Sequence, residues 1–233
     1  ESGNLFLVSA DGSAWEEIVL PGKIWLSAVT YGNNRFVAVG NEKRILHSPD
    51  GKNWADTKVN LPKLGTLMDV AYGGGLFVAT GLVGTIITSP DGISWTNRPC
   101  DTRRDLNGIT YGDGRFVAVT NDFWFSDVRA FVSRNGISWE AEDTDCSEED
   151  LRAVAHGNGV FMAVGGNYQT GGRGNIDITQ FNDKRCAIYS SRNGASWREN
   201  QCVPGRQLHG IAFGQNRFVA VGNGIILRSS PVH

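Results

Sequence analysis

Seven residues, SPDGKNW at 48–54, return almost unchanged as SPDGISW at 89–95, and three looser copies stand at 9–15, 133–139 and 191–197. Every copy keeps Ser, then Asp or Asn followed by Gly, then Trp. A second phrase alternates with the first: YGNNRFVAVG at 31–40, YGGGLFVATG at 72–81, YGDGRFVAVT at 111–120, HGNGVFMAVG at 156–165 and FGQNRFVAVG at 213–222. A chain written this way folds as one small unit repeated. The tryptophans Trp15, Trp54, Trp95, Trp139 and Trp197 are separated by 39, 41, 44 and 58 residues, the period of propeller blades with one expanded member.

The unit is made of strands. Its apolar runs are short, such as Phe36–Val39 and Ile86–Thr88, rich in β-branched and aromatic residues and bounded by Gly, Asn and Asp. No apolar stripe of helical period runs for a dozen residues. One unit parses into four strands: A (Leu26–Tyr31), B (Arg35–Gly40), C (Arg44–Ser48) and D (Asn53–Val59). A lone four-stranded sheet buries little, so such units are stable only side by side. The expected fold is all-β, a single domain over 1–233 forming a five-bladed β-propeller of four-stranded antiparallel blades. The N-terminal segment supplies C and D without A and B, and the C-terminal segment supplies A, B and C without D. The ring is therefore expected to close by pairing of N- and C-terminal strands, which would also remove exposed edges. Leu5–Ser9 and Ile225–Ser229 compete for one C slot.

The turn chemistry gives the seven-residue phrase a structural role. Pro49 presets φ for the second position of a type I turn, Ser48 suits the first, and Gly51 takes the left-handed position. The Asp or Asn oxygen accepts from backbone N–H groups of the turn. The Trp is expected to pack between neighbouring blades. A catalytic role would not need five copies.

The phrase resembles the Asp-box of BNR-like, sialidase-type repeats, Ser-x-Asp-x-Gly-x-x-Trp, here one residue shorter, and YGDGRFVAV resembles the segment that precedes such boxes in bacterial propellers. Together the two phrases cover almost the whole chain. Asp-box propellers include sialidases, other glycan-active enzymes, lectins and assembly factors, so the resemblance implies a fold and leaves the activity open. Sialidases share an early Arg-Ile-Pro motif, three carboxylate-clamping arginines and six blades. This chain has no Arg-Ile-Pro and five A–B units, and Arg103 and Arg104 share one loop. Sialidase activity is not expected.

With a net charge of −2, a pI near 6.1 and 22 dispersed basic residues, the chain lacks the concentrated charge of a nucleic-acid binder. No apolar run approaches 18 residues, so no membrane insertion is expected. The reading is a monomer. Its first residue, Glu1, suits a mature secreted chain and equally an expression product. Cys186 and Cys202 flank the Asn193-Gly194 turn and can bond across strands C and D, a bridge worth about 3 kcal/mol for a loop of ~15 residues. Cys100 and Cys146 lie in D-to-A connections of adjacent blades and could pair. An even count with a partner for each points to an oxidising, extracellular or periplasmic compartment.

Function in a repeat protein sits where the repeats differ. Before the repeated Leu of strand A stand Trp25, Thr66, Asp105, Asp150 and Gln207, and after it Ser27, Met68, Asn107, Arg152 and His209. These positions are expected on the central channel. The B-to-C connections swell in two blades, to 121–130 and 166–185, on one face of the ring. An exposed aromatic among polar groups is a platform for a pyranose ring. The expected glycan-binding residues are Trp124 and Tyr168, with Asp122, Asp127, Arg129 and Arg173 beside them and Trp25, Asp105, Arg152 and His209 on the channel.

The sequence thus reads first as a lectin-like binding module for a glycan. A protein-interaction or assembly scaffold is the alternative. A carbohydrate-active hydrolase or lyase would use channel groups, Asp105, Asp150 and His209, with Glu148 and Glu149 nearby. No cofactor or metal site is expected. Asn175, Asp177, Asn182 and Asp183 offer oxygens for calcium without EF-hand spacing.

Overall fold

In the computed structural model the described residues are 4–20, 25–42, 44–57, 59, 65–98, 100, 102–121, 128–143, 150–166, 186–202 and 206–232. They are all-β apart from a single 3-10 turn at Leu82–Gly84 and form the successive antiparallel sheets of a five-bladed β-propeller. The chain divides into two compact units, Glu1–Arg103 and Arg104–His233.

Unit 1 opens with a hairpin, β1 (Asn4–Val8) and β2 (Glu16–Leu20). Two four-stranded blades follow: β3 (Leu26–Gly32), β4 (Arg35–Gly40), β5 (Ile45–Ser48) and β6 (Ala55–Asp56), then β7 (Leu67–Gly73), β8 (Leu76–Gly81), β9 (Ile86–Ser89) and β10 (Thr96–Arg98). Their shared core joins Val37, Val39 and Ile45 of one blade to Leu67, Val70, Phe77, Ile87 and Trp95 of the next.

Unit 2 holds β11 (Asp105–Gly112), β12 (Arg115–Asn121), β13 (Val128–Ser133) and β14 (Glu140–Asp143), then β15 (Leu151–Gly157), β16 (Val160–Gly165), β17 (Ala187–Ser191) and β18 (Arg198–Glu199). Its last sheet has three strands, β19 (Leu208–Gly214), β20 (Arg217–Gly222) and β21 (Ile225–Arg228). Val117 and Val132 pack with Phe161 at one blade junction, and Val164 and Cys186 with Leu208 and Ala220 at the next.

Two expectations change. The terminal strands do not pair with each other among the described residues: β1 pairs with β2, and β21 pairs with β20. The C slot of the last blade therefore goes to Ile225–Arg228, whose short link to β20 makes local pairing cheaper in loop entropy than pairing with a distant strand. The first and last sheets accordingly have fewer than four strands. Strand D is also shorter than read, two residues in β6, because Trp54 leaves the ladder to bond its own turn.

The turns follow the sequence closely. All five A-to-B links, Asn33-Asn34, Gly74-Gly75, Asp113-Gly114, Asn158-Gly159 and Gln215-Asn216, hold both residues at positive φ, the hairpin geometry that matches strand twist. In the seven-residue phrase, the Ser hydroxyls of Ser9, Ser48, Ser89, Ser133 and Ser191 accept from the Gly N–H at 2.8–2.9 Å. The Asp or Asn Oδ1 accepts from the N–H groups two and three residues on in every copy, as in Asp91 with Ile93 (2.8 Å) and Ser94 (2.7 Å). Trp54, Trp95, Trp139 and Trp197 close the turn by donating Nε1–H to the Gly carbonyl. These bonds lower the Asp50 pKa and hold Asp91 at about 2, there against the upward push of partial burial. The Ser and Asp or Asn bonds recur in all five copies and form a structural clip, whereas Trp15 of the first copy, expected to pack between blades, is 58% exposed.

Candidate functional site

The start of every A strand is irregular. Register shifts fall between Leu26 and Ala28, Leu67 and Asp69, Leu106 and Gly108, Leu151 and Ala153, and Leu208 and Gly210. Ser27, Met68, Asn107, Arg152 and His209 are thus the extra residues of five β-bulges. A bulge removes its residue from the ladder and re-aims its side chain, and such devices recur beside functional sites.

A pinch fixes four of the five bulges from the other side. The residue before the repeated Leu lends its carbonyl to the strand leaving B: Trp25 to Asn41 (2.9 Å), Thr66 to Leu82 (3.0 Å), Asp150 to Gly166 (2.9 Å) and Gln207 to Asn223 (3.0 Å). An ideal Cβ on Gly40, Gly81, Gly165 or Gly222 would stand 1.8–2.2 Å from those carbonyls, so glycine is required there. The third blade has Thr120 at this position, and its Asp105 pairs in register with Asn121. Backbone alone holds the pinch, so the side chains on either side of the Leu can vary without cost to the scaffold.

In unit 2 three successive bulge residues are polar, and each is held by a hydrogen bond. Asn107 Nδ2 donates to the Leu151 carbonyl (3.4 Å). Arg152 Nη1 lies 3.2 Å from His209 Nδ1, and His209 Nε2 lies 2.8 Å from Asn223 Oδ1. A guanidinium can only donate, so His209 Nδ1 accepts and its Nε2–H donates to Asn223, which fixes the tautomer. Asn223 Nδ2 continues to Gln207 Oε1 (3.4 Å), and Arg206 Nη1 donates to the Asn223 carbonyl (3.1 Å). Asn107 and Arg152 are half-buried and His209 is exposed. The result is an oriented row of amide, guanidinium and imidazole groups.

The other expected residues are distributed as follows. Asp105 is half-buried at the start of β11, and Asp150 is 5% exposed. Trp25 is 74% exposed, beside the bulge at Ser27. Asp122, Trp124, Asp127, Tyr168, Arg173, Glu148 and Glu149, and the calcium candidates Asn175, Asp177, Asn182 and Asp183, lie outside the described residues. Arg129 is placed in β13 by its backbone alone. Cys186 and Cys202 form the expected disulfide, with Cα atoms 5.8 Å apart, which fits an oxidising compartment. Cys100 is half-buried, and Cys146 lies outside the described residues. His156, which replaces Tyr in its repeat, stacks on Phe161 (4.5 Å between centroids) and sets Nε2 3.1 Å from Asp113 Oδ2, a packing role. Among the described residues no group of three His, Cys, Asp or Glu could hold a metal, and no helix is long and apolar enough to cross a membrane. Sequence reasoning missed Asn223 and Arg206. Asn223 is the residue after the repeated B-strand glycine, and that position was the available signal.

Its successive antiparallel sheets give the chain the fold of a β-propeller. No protein-family model and no curated protein sequence match the chain. Solved structures do. YCF48 bound to D1 peptide superposes with a TM-score of 0.66 at 17% identity, over 98% of this chain and 72% of that one. YCF48 from Cyanidioschyzon merolae gives 0.64 at 18%, over 95% and 71%. A catalytically inactive His-to-Ala virginiamycin B lyase from Staphylococcus aureus with quinupristin gives 0.75 at 14%, over 97% and 73%. At such identities the likeness is one of fold.

Proposed function

We propose that this chain is a non-catalytic binding module of the Asp-box, BNR-like kind, secreted into an oxidising compartment, which takes an extended peptide along the bulge row of unit 2. The observation that carries this reading is the set Asn107, Arg152 and His209, the bulge residues of three consecutive blades, oriented by hydrogen bonds before any ligand arrives. Backbone carbonyls and N–H groups of an extended peptide match alternating donors and acceptors of this type. Preorganisation supports binding, because little side-chain entropy remains to be lost. The YCF48 neighbour bound to a peptide supports the same ligand class.

The lyase neighbour, inactive once a histidine is replaced, raises a catalytic alternative. His209 accepts from Arg152 on one nitrogen and donates to Asn223 from the other, so neither is poised to take a substrate proton. That supports binding over turnover. A glycan ligand is the second reading, favoured by Trp25, whose indole is 74% exposed next to the bulge. In that case Trp25 is a sugar-stacking platform of unit 1, and in unit 2 Trp124 and Tyr168 stack on sugar rings while Asp105, Asp122, Asp127, Arg129 and Arg173 bond their hydroxyls.

A displayed peptide library and a glycan array, both screened with multivalent protein, separate the readings. Peptide ligands lost on His209→Ala and unaffected by Trp25→Ala are expected. Sugars lost on Trp25→Ala with no peptide selected would replace the peptide reading with the glycan one.

A further inference from the structure

One disulfide forms among the described residues, and it lies beside the polar row of unit 2. Cys186 stands just before β17, and Cys202 in the link from β18 to β19. Cys186 is buried with Val164, Leu208 and Ala220, and Cys202 and Ala153 pack against that cluster. Two of these neighbours adjoin the row in sequence: Ala153 follows Arg152, and Leu208 precedes His209.

The link that carries Cys202 also holds Asn223. Its first residue, Asn200, is tied to β17 by its N–H on the Ile188 carbonyl (2.8 Å) and its Nδ2 on Ser190 Oγ (3.0 Å). Cys202 is the next tie, to Cys186. Arg206 and Gln207 then grip Asn223 at three points. The Gln207 carbonyl accepts its N–H (3.0 Å), Gln207 Oε1 accepts from its Nδ2 (3.4 Å), and Arg206 Nη1 donates to its carbonyl (3.1 Å). Asn223 Oδ1 in turn receives His209 Nε2–H (2.8 Å), which leaves Nδ1 to accept from Arg152 (3.2 Å). His209 is exposed, so these bonds rather than packing orient its ring.

The blades themselves do not need the disulfide. The β3–β6 and β7–β10 sheets make the same strand pairings, pinches and clips with no cysteine in either. A bond between Cys186 and Cys202 therefore constrains the link, and through the link the row.

We infer that Cys186–Cys202 is a positioning bond for the polar row, and that the site becomes competent only once the two thiols are oxidised. The second half rests on the row being the ligand site. Each thiol gives up one proton and one electron, and a disulfide oxidant takes both pairs and is reduced to two thiols; a dithiol reductant runs the exchange in reverse. In the reduced chain the link is released, Arg206 and Gln207 no longer fix Asn223, and His209 loses the acceptor that holds its tautomer. Arg152 then loses its partner on Nδ1, and the preorganisation that favours binding is gone. A chain in a reducing compartment builds its blades without a working site.

The test follows the ring nitrogens of His209 by nitrogen-15 NMR at about pH 8, where imidazole is neutral, in the oxidised protein, in the same protein with dithiothreitol, and in the Cys186→Ala/Cys202→Ala variant. Amide exchange in β15, β16 and β19 checks that the blades persist. The oxidised protein should show one acceptor and one N–H nitrogen, and the reduced protein and the variant two nitrogens averaged toward each other. Arg206→Ala, with the disulfide intact, should average them in part. A peptide selected from the displayed library on oxidised protein should bind the reduced protein about tenfold more weakly or worse, and dithiothreitol should not change binding to the variant. Unchanged His209 signals in reduced, folded protein would overturn the inference whatever the peptide does. So would loss of protection throughout β15, β16 and β19, since the bond would then hold the scaffold. Averaged His209 signals with unchanged peptide affinity would uphold the positioning and overturn the binding role assigned to the row.

Discussion

Gly157 and Gly214 end A strands in successive blades of unit 2, and substituting Ala at each should move stability in opposite directions. At Gly157 a Cβ would stand 2.1 Å from Phe213 Cγ and 2.2 and 2.4 Å from its two Cδ atoms, far inside van der Waals contact. The ring cannot simply swing away, since Phe213 is also packed on Phe218 at 4.8 Å between centroids. Overpacking of this kind costs about 1–3 kcal/mol. At Gly214 the same Cβ meets nothing within 4 Å. Ala there removes backbone entropy from the unfolded chain and gains about 0.5–1 kcal/mol in a strand. The two variants should therefore differ by about 1.5–4 kcal/mol, with Gly157→Ala losing about 2–12 °C in Tm. Thermal and urea melts followed by far-UV circular dichroism read the difference. Phe213→Ala in the Gly157→Ala background should recover part of the loss, because the two residues share one contact. Equal melting of Gly157→Ala and Gly214→Ala would refute the ring-on-glycine account of blade packing.

Other outcomes follow from the clips and the core. Asp91 has a folded-state pKa of about 2 against an ordinary value of 3.8, so its stabilisation is complete above about pH 4 and is lost as pH falls toward 2. Asp91→Asn, which copies the natural Asn135 and Asn193, should keep the turn and flatten that part of the acid-unfolding curve; an unchanged curve would count against the assignment. Trp95, 9% exposed within the core of unit 1, should cost about 3–5 kcal/mol on truncation to Ala, whereas Trp15, 58% exposed, should stay within about 0.5 kcal/mol in the same denaturant titration. Cys202→Ala should destabilise unit 2 by about 3 kcal/mol, and reducing agent should have the same effect on the unaltered protein and none on the variant.

The repeat made the fold legible because each blade states its own turns. Ser, Asp-Gly and Trp occur only in an order that satisfies that hairpin, and the paired positive-φ residues of the A–B links fit only primed turns. The sequence also drew attention to the starts of the A strands, since Ser27, Met68, Asn107, Arg152 and His209 differ where the preceding Leu does not. The bulge was not legible: nothing in the residue after the Leu announces a register shift, and although four blades pair it with a carbonyl pinch and a glycine across the sheet, the third makes the same shift with Thr120 there.

The central claim is that the polar bulge residues of unit 2 bind the ligand. Its most direct test is titration calorimetry of a library-selected peptide against the protein and against Arg152→Ala, His209→Ala and the clip variant Ser9→Ala. Loss of one hydrogen bond to a charged group, about 1.5–3 kcal/mol, weakens binding roughly tenfold or more. The account predicts that loss for Arg152→Ala and His209→Ala, with Ser9→Ala unchanged. Equal affinity for all four proteins would contradict it.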